Sequence, residues 1–246
     1  MVLRWGLVAL AGLLLPLAST GSTAPLAGRE PIRVMAAQPG QITRDRDALG
    51  GNPFASTLVA LLQGPSLDLG SFLTALVQQT SKRTSGQQLP DLQIPAGVPT
   101  HWRWQVDSHH ETRRALVLVY WDYGQTGFAS LPGARHDLAR VPQALSAAGF
   151  RVEALANPDR SSLRTALSRF ARESRAADAA VIYATGHGFQ HSGQALLLPN
   201  DVHRRDGPTR GATRAIGVED LARTLHARRV NVLFYGACRN DWPAKI

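Results

Sequence analysis

The sequence has little cysteine, little lysine and few charged residues overall. Cys238 is the single cysteine among 246 residues. One thiol cannot close an intramolecular disulfide or supply a zinc site with several thiolates, so disulfide scaffolds and multi-thiolate zinc modules are excluded. A Gly-rich phosphate loop and a Gly-x-Ser-x-Gly serine elbow are also missing. The mean hydropathy of −0.13 excludes a polytopic membrane protein.

Lysine is nearly absent, because Lys82 and Lys245 are the only two. The formal net charge of +9, from 27 Lys and Arg against 18 Asp and Glu, is therefore carried by arginine. The arginines are spread along the chain, and no run of five like charges occurs. Specific nucleic-acid recognition uses a localised basic patch, so the sequence favours an arginine-rich surface over a nucleic-acid partner.

The N-terminal residues 1–24 have the layout of an export signal. Arg4 precedes an apolar stretch at 5–18, and small residues follow it. The stretch is shorter than the ~20 residues that span a bilayer. The sequence therefore predicts an exported protein, periplasmic or secreted, with an uncleaved anchor as the alternative and no other membrane contact.

The rest of the chain alternates predicted strands and helices. Strands are predicted at 32–37, 115–121, 151–156, 179–184 and 230–235, with a hairpin arm at 194–198 and an edge strand at Trp102, Trp104 and Val106. Helices are predicted from Pro53, after Asp68, after Ser161 or Ser162, and over 137–148 and 217–227, whereas 85–100 is expected to be irregular. This alternation predicts a three-layer α/β fold with a mostly parallel central sheet.

Two chemically capable residues follow the two most apolar strands. The strand at 179–184 leads into Gly186-His187-Gly188, and the strand at 230–235 leads into Cys238 and Arg239. Carboxyl ends of neighbouring parallel strands meet at one edge, so His187 and Cys238 are expected within hydrogen-bonding reach. A thiol needs a base or electropositive surroundings to become a good nucleophile, which His187 and Arg239 are suited to supply.

At these residues the sequence resembles the caspase-like peptidases, which comprise caspases, metacaspases and bacterial relatives. Ala184-Thr-Gly-His-Gly188 resembles the family's histidine motif, and Ala237-Cys-Arg-Asn240 resembles its active-site cysteine run. Cys238 follows His187 by 51 residues, near the ~50 that separate the two in caspases. Leu131-Pro-Gly-Ala-Arg-His-Asp137 and Leu197-Leu-Pro-Asn-Asp201 resemble two further family segments.

The order of the two halves differs from that of ordinary family members. Ala36-Ala-Gln-Pro-Gly-Gln41 and Asn52-Pro-Phe54 resemble the small-subunit half, which normally follows the cysteine. Here residues 30–107 would be the small-subunit-like half and residues 112–246 the large-subunit-like half. The resemblance therefore implies a circularly permuted caspase-like sandwich, in which the strand at 32–37 lies beside the strand at 230–235.

The resemblance also implies residue roles. Cys238 would be the nucleophile and His187 the proton carrier, while the backbone N–H groups of Gly188 and Cys238 would stabilise the oxyanion. In basic-specific metacaspases the positions of Asp137 and Gly236 both carry aspartates that line the pocket for the residue before the scissile bond (S1, which receives residue P1). Asp137 matches and Gly236 departs, so cleavage after Arg or Lys is expected with half of the negative charge missing.

Two other functions remain open at this stage. A catalytically inactive caspase-like module that binds peptides is one, supported by Gly236 and the short tail after Cys238. A basic anion-binding domain is the other, supported by net charge alone. The expected partner is a polypeptide substrate, with no cofactor and no metal site. The calcium dependence of metacaspases is not carried over, since Asp45 and Asp47 match no calcium motif.

Overall fold

The computed structural model describes residues 30–105 and 111–242. The predicted export segment, residues 1–24, and Val106 of the predicted edge strand lie outside the described residues. Within the described ranges, no helix has both the length and the apolarity to cross a bilayer.

The described residues form strands and helices that alternate along the chain. The strands are β1 (Ile32–Met35), β2 (Asp91–Gln93), β3 (Arg113–Val119), β4 (Arg151–Ala156), β5 (Ala179–Thr185), β6 (Gly188–His191), β7 (Gln194–Leu197), β8 (Ile216–Gly217) and β9 (Val230–Tyr235). The helices are α1 (Pro53–Gln63), α2 (Leu69–Arg83), α3 (Pro132–Ala147), α4 (Arg160–Arg175), α5 (Gly207–Arg214) and α6 (Val218–Ala222).

Six strands build the central sheet in the order β2-β1-β9-β5-β3-β4. All neighbours pair in parallel except β2, which is antiparallel to β1 at one edge. β5 and β9 lie in the sheet interior, as their uniform apolarity predicted, and are direct neighbours, while β1 lies on the other side of β9. A second, antiparallel sheet contains β6, β7 and β8. The α/β class and the mostly parallel central sheet are thus confirmed.

Alternate residues of each central strand enter two separate hydrophobic cores, because successive side chains of a strand point to opposite faces. On one face, Val117 and Val181 pack with residues of α1, α2 and α3. On the other face, Leu118 and Ile182 pack with residues of α4, α6 and the second sheet. Helices therefore cover both faces, giving the three layers that the alternating elements predicted.

Local signals place the first two helices. The Asn52 side chain accepts hydrogen bonds from the N–H groups of Phe54 and Ala55 at the start of α1, where Pro53 occupies the first turn. The Asp68 side chain caps α2 through the Ser71 N–H. The predicted starts of both helices are confirmed.

Several boundaries predicted from the sequence are wrong. The edge strand is β2, inside the segment that was expected to be irregular, whereas Trp102 and Trp104 belong to no strand and lie buried in the core. Trp104 stacks against Phe72, with ring centroids 4.4 Å apart, and this burial outweighs the alternating pattern. Asp159 rather than a serine caps α4.

Two further helices differ from their predicted bounds. α3 begins at Pro132, five residues before the predicted start, because proline suits the first turn of a helix. α6 ends at Ala222, well short of 227. α5 was not predicted, because its segment contains two glycines and few apolar residues.

Candidate active site

The neighbouring strands β5 and β9 bring the Gly-His-Gly loop and the cysteine to the same edge of the sheet. The pairing of β5 with β9 continues past Tyr235, since the Gly236 N–H donates to the Ala184 carbonyl at 2.7 Å. His187 and Cys238 follow within three residues and line one cavity of about 550 Å³, called here the His187–Cys238 cavity. The fold therefore brings these two residues together at one edge of the sheet, as the sequence predicts.

The His187 ring is held by hydrogen bonding and by aromatic packing. Its Nε2–H donates to the Ala129 carbonyl at 2.7 Å. The Tyr123 ring lies edge-on to it, with centroids 4.5 Å apart, and the Phe128 ring is at 5.4 Å. The Tyr123 hydroxyl also accepts from the His187 N–H at 3.0 Å and donates to the Leu198 carbonyl at 2.7 Å.

These contacts fix the chemical state of the imidazole. A carbonyl only accepts, so Nε2 carries the proton and Nδ1 of the neutral ring keeps a lone pair. Burial lowers the pKa of His187 below its ordinary 6.5, against an opposing effect of the Ala129 hydrogen bond. The ring is therefore neutral at physiological pH and is able to take a proton through Nδ1.

The Cys238 thiol is half-buried and is contacted by the loop that precedes α1. The N–H of Thr43 donates to Cys238 Sγ at 3.2 Å, and Thr43 Oγ1 lies 3.4 Å from the same sulfur. Both contacts come from one residue of this loop, so Thr43 fixes the position of the sulfur from the side of α1. Sequence reasoning did not single out Thr43, since nothing local relates it to a cysteine 195 residues away.

The expected hydrogen bond between the two candidate catalytic residues is not formed. Among the described residues, the His187 ring bonds to Ala129 and the Cys238 sulfur to Thr43, and no hydrogen bond joins them. Catalytic hydrogen bonds are often long in a ligand-free site and tighten when substrate binds, so a shared cavity remains compatible with proton transfer.

Gly188 and Cys238 both line the His187–Cys238 cavity. The His187 carbonyl accepts from Leu198, so strand alternation turns the next N–H, that of Gly188, away from the hairpin. Within the described ranges no group accepts from the Cys238 N–H. A Cβ on Gly188 would lie 2.6 Å from the Cys238 carbonyl oxygen, so this close approach requires glycine.

Arg239 does not face the thiol, contrary to the suggestion from its position in the sequence. Its guanidinium binds the Asp91 carboxylate at 2.6 Å and the Ala37 carbonyl at 3.2 Å. Its backbone pairs with the loop before Thr43, since Gly40 N–H donates to the Arg239 carbonyl at 2.9 Å. Arg239 thus ties the cysteine segment to β2 and to the Thr43 loop instead of polarising the sulfur.

Asp137, predicted to line S1, is not in the cavity wall. Its side chain is 0% exposed and is paired with Arg140 at 2.6 Å, and Asn52 N–H donates to it at 3.3 Å. Burial raises the pKa of Asp137 to about 7, although Arg140 acts in the opposite direction. A buried carboxylate that is already paired with an arginine is poorly suited to receive a second cation.

Gly236, the other predicted S1 position, does line the cavity but contributes no charge. Its carbonyl accepts from Thr185 Oγ1 at 3.2 Å and from Asn52 Nδ2 at 3.3 Å. A Cβ at this position would lie 3.0 Å from Thr185 Oγ1, which is a tight contact. Position 236, where an aspartate was expected from the resemblance, is therefore crowded, and its carbonyl is hydrogen-bonded from two sides.

The carboxylates in the cavity wall are instead Asp45 and Asp241, neither of which was assigned to S1 from the sequence. Asp45 accepts from the N–H groups of Gly133 at 3.0 Å and Ala134 at 3.2 Å, which fixes it at the N-terminus of α3. Its side chain is 27% exposed, and Nε of the exposed Arg46 lies 3.8 Å from its carboxylate. In a chain of net charge +9, the described residues that line this cavity include these two acids and no lysine or arginine.

Comparison with known proteins agrees with this geometry. The sequence model of the caspase domain, Peptidase C14, matches residues 112–245, a little over half of the chain. The match contains both His187 and Cys238 and ends close to the last residue. No curated protein matches the chain.

Proposed function

The chain belongs to the caspase-domain peptidase family, Peptidase C14, and we propose that it hydrolyses peptide bonds as a cysteine endopeptidase, with Cys238 and His187 as catalytic residues. The observation that carries the proposal is the shared cavity, whose lining brings the Cys238 thiol and the His187 imidazole together at the ends of β5 and β9, with Gly188 beside them. These are the parts that acyl transfer to a thiol requires.

In the proposed reaction, Cys238 Sγ attacks the peptide carbonyl carbon and its proton passes to Nδ1 of His187. The Gly188 and Cys238 N–H groups stabilise the oxyanion of the tetrahedral intermediate. The intermediate collapses when the C–N bond breaks, and His187 returns the proton to the leaving amine. Water, deprotonated by His187, then hydrolyses the thioester, which releases the acid and restores the thiol.

We propose that the residue before the scissile bond is arginine or lysine. The support is electrostatic: the described cavity lining contains Asp45 and Asp241 but no cationic side chain, so a positive P1 side chain is favoured and an acidic one is disfavoured. Asp45, fixed by the α3 N-terminus, is the preferred partner, in place of the buried Asp137.

We also propose that the two halves of the caspase-like sandwich are permuted. Residues 30–107 would act as the small-subunit-like half and residues 112–246 as the large-subunit-like half. The pairing of β1 with β9 supports this arrangement, because it joins the first half to the cysteine-bearing strand within one sheet. The family match, which begins at residue 112, leaves the first half outside it.

Residues 1–24 are proposed to direct export to the periplasm or the medium. N-terminal sequencing of protein recovered outside the cytoplasm tests this directly. A new N-terminus at residue 22, from cleavage after Gly21, is expected, and an intact Met1 on membrane-bound protein would favour the uncleaved anchor.

The decisive test of the activity uses fluorogenic peptides with Arg, Lys or Asp at P1, alongside the Cys238→Ala and His187→Ala variants. Turnover of the Arg and Lys peptides that both substitutions abolish is expected. The alternative, an inactive caspase-like peptide-binding module, is favoured by the absence of a His187–Cys238 hydrogen bond among the described residues. It predicts no turnover and no labelling of Cys238 by a thiol-reactive Arg peptide.

A further inference from the structure

The segment after Cys238 runs along β6 and brings an aromatic side chain to the cavity. Gln190 N–H donates to the Asn240 carbonyl at 2.8 Å, which aligns this segment with the strand. Two residues later, the Trp242 ring lies edge-on to the Phe189 ring, with centroids 4.9 Å apart and an interplanar angle of 88°. Trp242 is only half-buried and lines the His187–Cys238 cavity.

Trp242 is connected to His187 through a second aromatic contact. The Phe128 ring lies 5.6 Å from the Trp242 ring and 5.4 Å from the His187 ring, measured between centroids. Edge-to-face packing of this kind fixes ring orientation as well as position. Trp242 is therefore an aromatic part of the cavity wall, and the buried Phe128 ring, which does not line the cavity, links it to the imidazole.

The position of Trp242 is also fixed from α5. A Cβ placed on Gly211 would lie 2.2 Å from Cζ3 of Trp242. The indole therefore occupies the space that a side chain at position 211 would need. A residue held by two aromatic rings and by a helix backbone is preorganised for contact with a ligand.

The chemistry of the proposed reaction decides which part of a substrate meets this surface. The acyl portion stays bonded to Cys238, whereas the amine leaves after accepting a proton from His187. The leaving portion must therefore lie beside the imidazole, which Trp242 borders through the Phe128 ring. On the basis of the proposed function, we infer that Trp242 forms a subsite for an apolar or aromatic side chain at P1′, the residue directly after the scissile bond.

Internally quenched peptides that share Arg at P1 and differ only at P1′ test the inference. With Phe or Leu at P1′, kcat/KM is expected to exceed that with Gly or Asp by about tenfold or more, as an apolar pocket typically discriminates. Trp242→Ala should collapse this ratio, and Trp242→Phe should retain most of it. Gly211→Ala should also reduce it, because the new methyl group displaces the indole.

Trp121→Ala is the matched control, since Trp121 is also half-buried but lies outside the cavity, against the Arg135 guanidinium at 4.8 Å. The P1′ ratio should persist in this variant. A second measurement uses the unmodified protein, so no variant has to fold. Phenylalanine amide and glycine amide are added as nucleophiles that compete with water for the thioester, and phenylalanine amide should capture more of the acyl product.

The outcomes distinguish failure of the Trp242 subsite from failure of the proposed peptidase activity. Cleavage that Cys238→Ala abolishes but that is equally fast for all P1′ residues would overturn the Trp242 subsite and leave the peptidase intact. The same conclusion follows if Phe amide and Gly amide capture equal product. Absence of Cys238-dependent cleavage for every peptide would overturn the peptidase and the subsite with it.

Discussion

Thr43 and Cys238, 195 residues apart in the chain, are joined by three contacts at a single sulfur atom, one of which is the Cys238 thiol donating to the Thr43 carbonyl at 3.9 Å. The Thr43 N–H lies 3.2 Å from Cys238 Sγ, and Thr43 Oγ1 lies 3.4 Å from it. The loop that carries Thr43 is held in place by backbone pairing between Gln41 and Arg239 at 3.0 Å. Ile42, Thr43 and Asp45 of this loop therefore belong to the site of the proposed nucleophile, although the family match begins only at residue 112.

Removing the Thr43 hydroxyl should slow acylation. We expect Thr43→Val to lower kcat/KM about tenfold, because one hydrogen bond to the developing thiolate is lost while the backbone N–H remains. Single-turnover kinetics and the rate of iodoacetamide alkylation of Cys238 measure this effect. Thr43→Ser, which keeps the hydroxyl, is the matched control, and equal rates in all three proteins would contradict a role for the hydroxyl.

Removing the charge of Asp45 should weaken selection of a basic P1 residue. Asp45→Asn retains an oxygen that caps α3, but it is expected to lower kcat/KM for an Arg peptide about tenfold relative to its uncharged isostere, the citrulline peptide. Asp47→Asn is the control, since Asp47 lies in the same loop, 3.5 Å from Arg83, and does not line the cavity. An unchanged Arg-to-citrulline ratio in Asp45→Asn would assign P1 selection elsewhere.

The acid limb of the activity profile should lie below pH 6.5. Catalysis needs neutral His187, and burial lowers the pKa of this residue from its ordinary 6.5. The value of kcat/KM is thus expected to rise with pH and to level off before neutrality. Asp137→Asn is an essential control because the pKa of Asp137 is about 7. A limb that disappears in this variant would show that Asp137, and not His187, is the titrating group.

Asp137 should make the folded protein less stable as pH rises. Its folded pKa of about 7 exceeds the ordinary 3.8, so the folded state keeps a proton that the unfolded state releases. The free energy of unfolding therefore falls between about pH 4 and pH 7, by an amount on the order of a few kcal/mol. Asn at position 137 does not titrate, so this decline should be absent in Asp137→Asn.

Urea unfolding of the wild type and of Asp137→Asn at pH 5 and pH 8 measures this dependence. The stability of the variant relative to wild type is expected to improve from pH 5 to pH 8. Asp122→Asn, at an exposed aspartate, serves as the control for general charge effects. If the difference in unfolding free energy between Asp137→Asn and wild type is the same at both pH values, then burial of Asp137 does not make stability depend on pH.

Much of the central sheet followed from local patterns. Continuous apolar runs identified β3, β5 and β9, because strands covered on both faces have no polar side. The positions of His187 and Cys238 just after such strands then predicted their meeting at one edge. Where a residue was buried by distant partners, local pattern failed, as with Trp104, which alternates with polar residues but lies in the core against Phe72.

By itself, the sequence determined the α/β class, the neighbouring strands and the pair of residues proposed for catalysis, since each depends on hydrophobic periodicity or on a local motif. Only the tertiary structure decided which side chains surround that pair. Thr43, Asp45 and Trp242 reach the cavity through loop pairing, helix capping and aromatic stacking. Asp137, one turn into α3, is instead turned toward Arg140. The contacts of Thr43, Asp45 and Trp242 link residues far apart in the chain, so no local spacing encodes them.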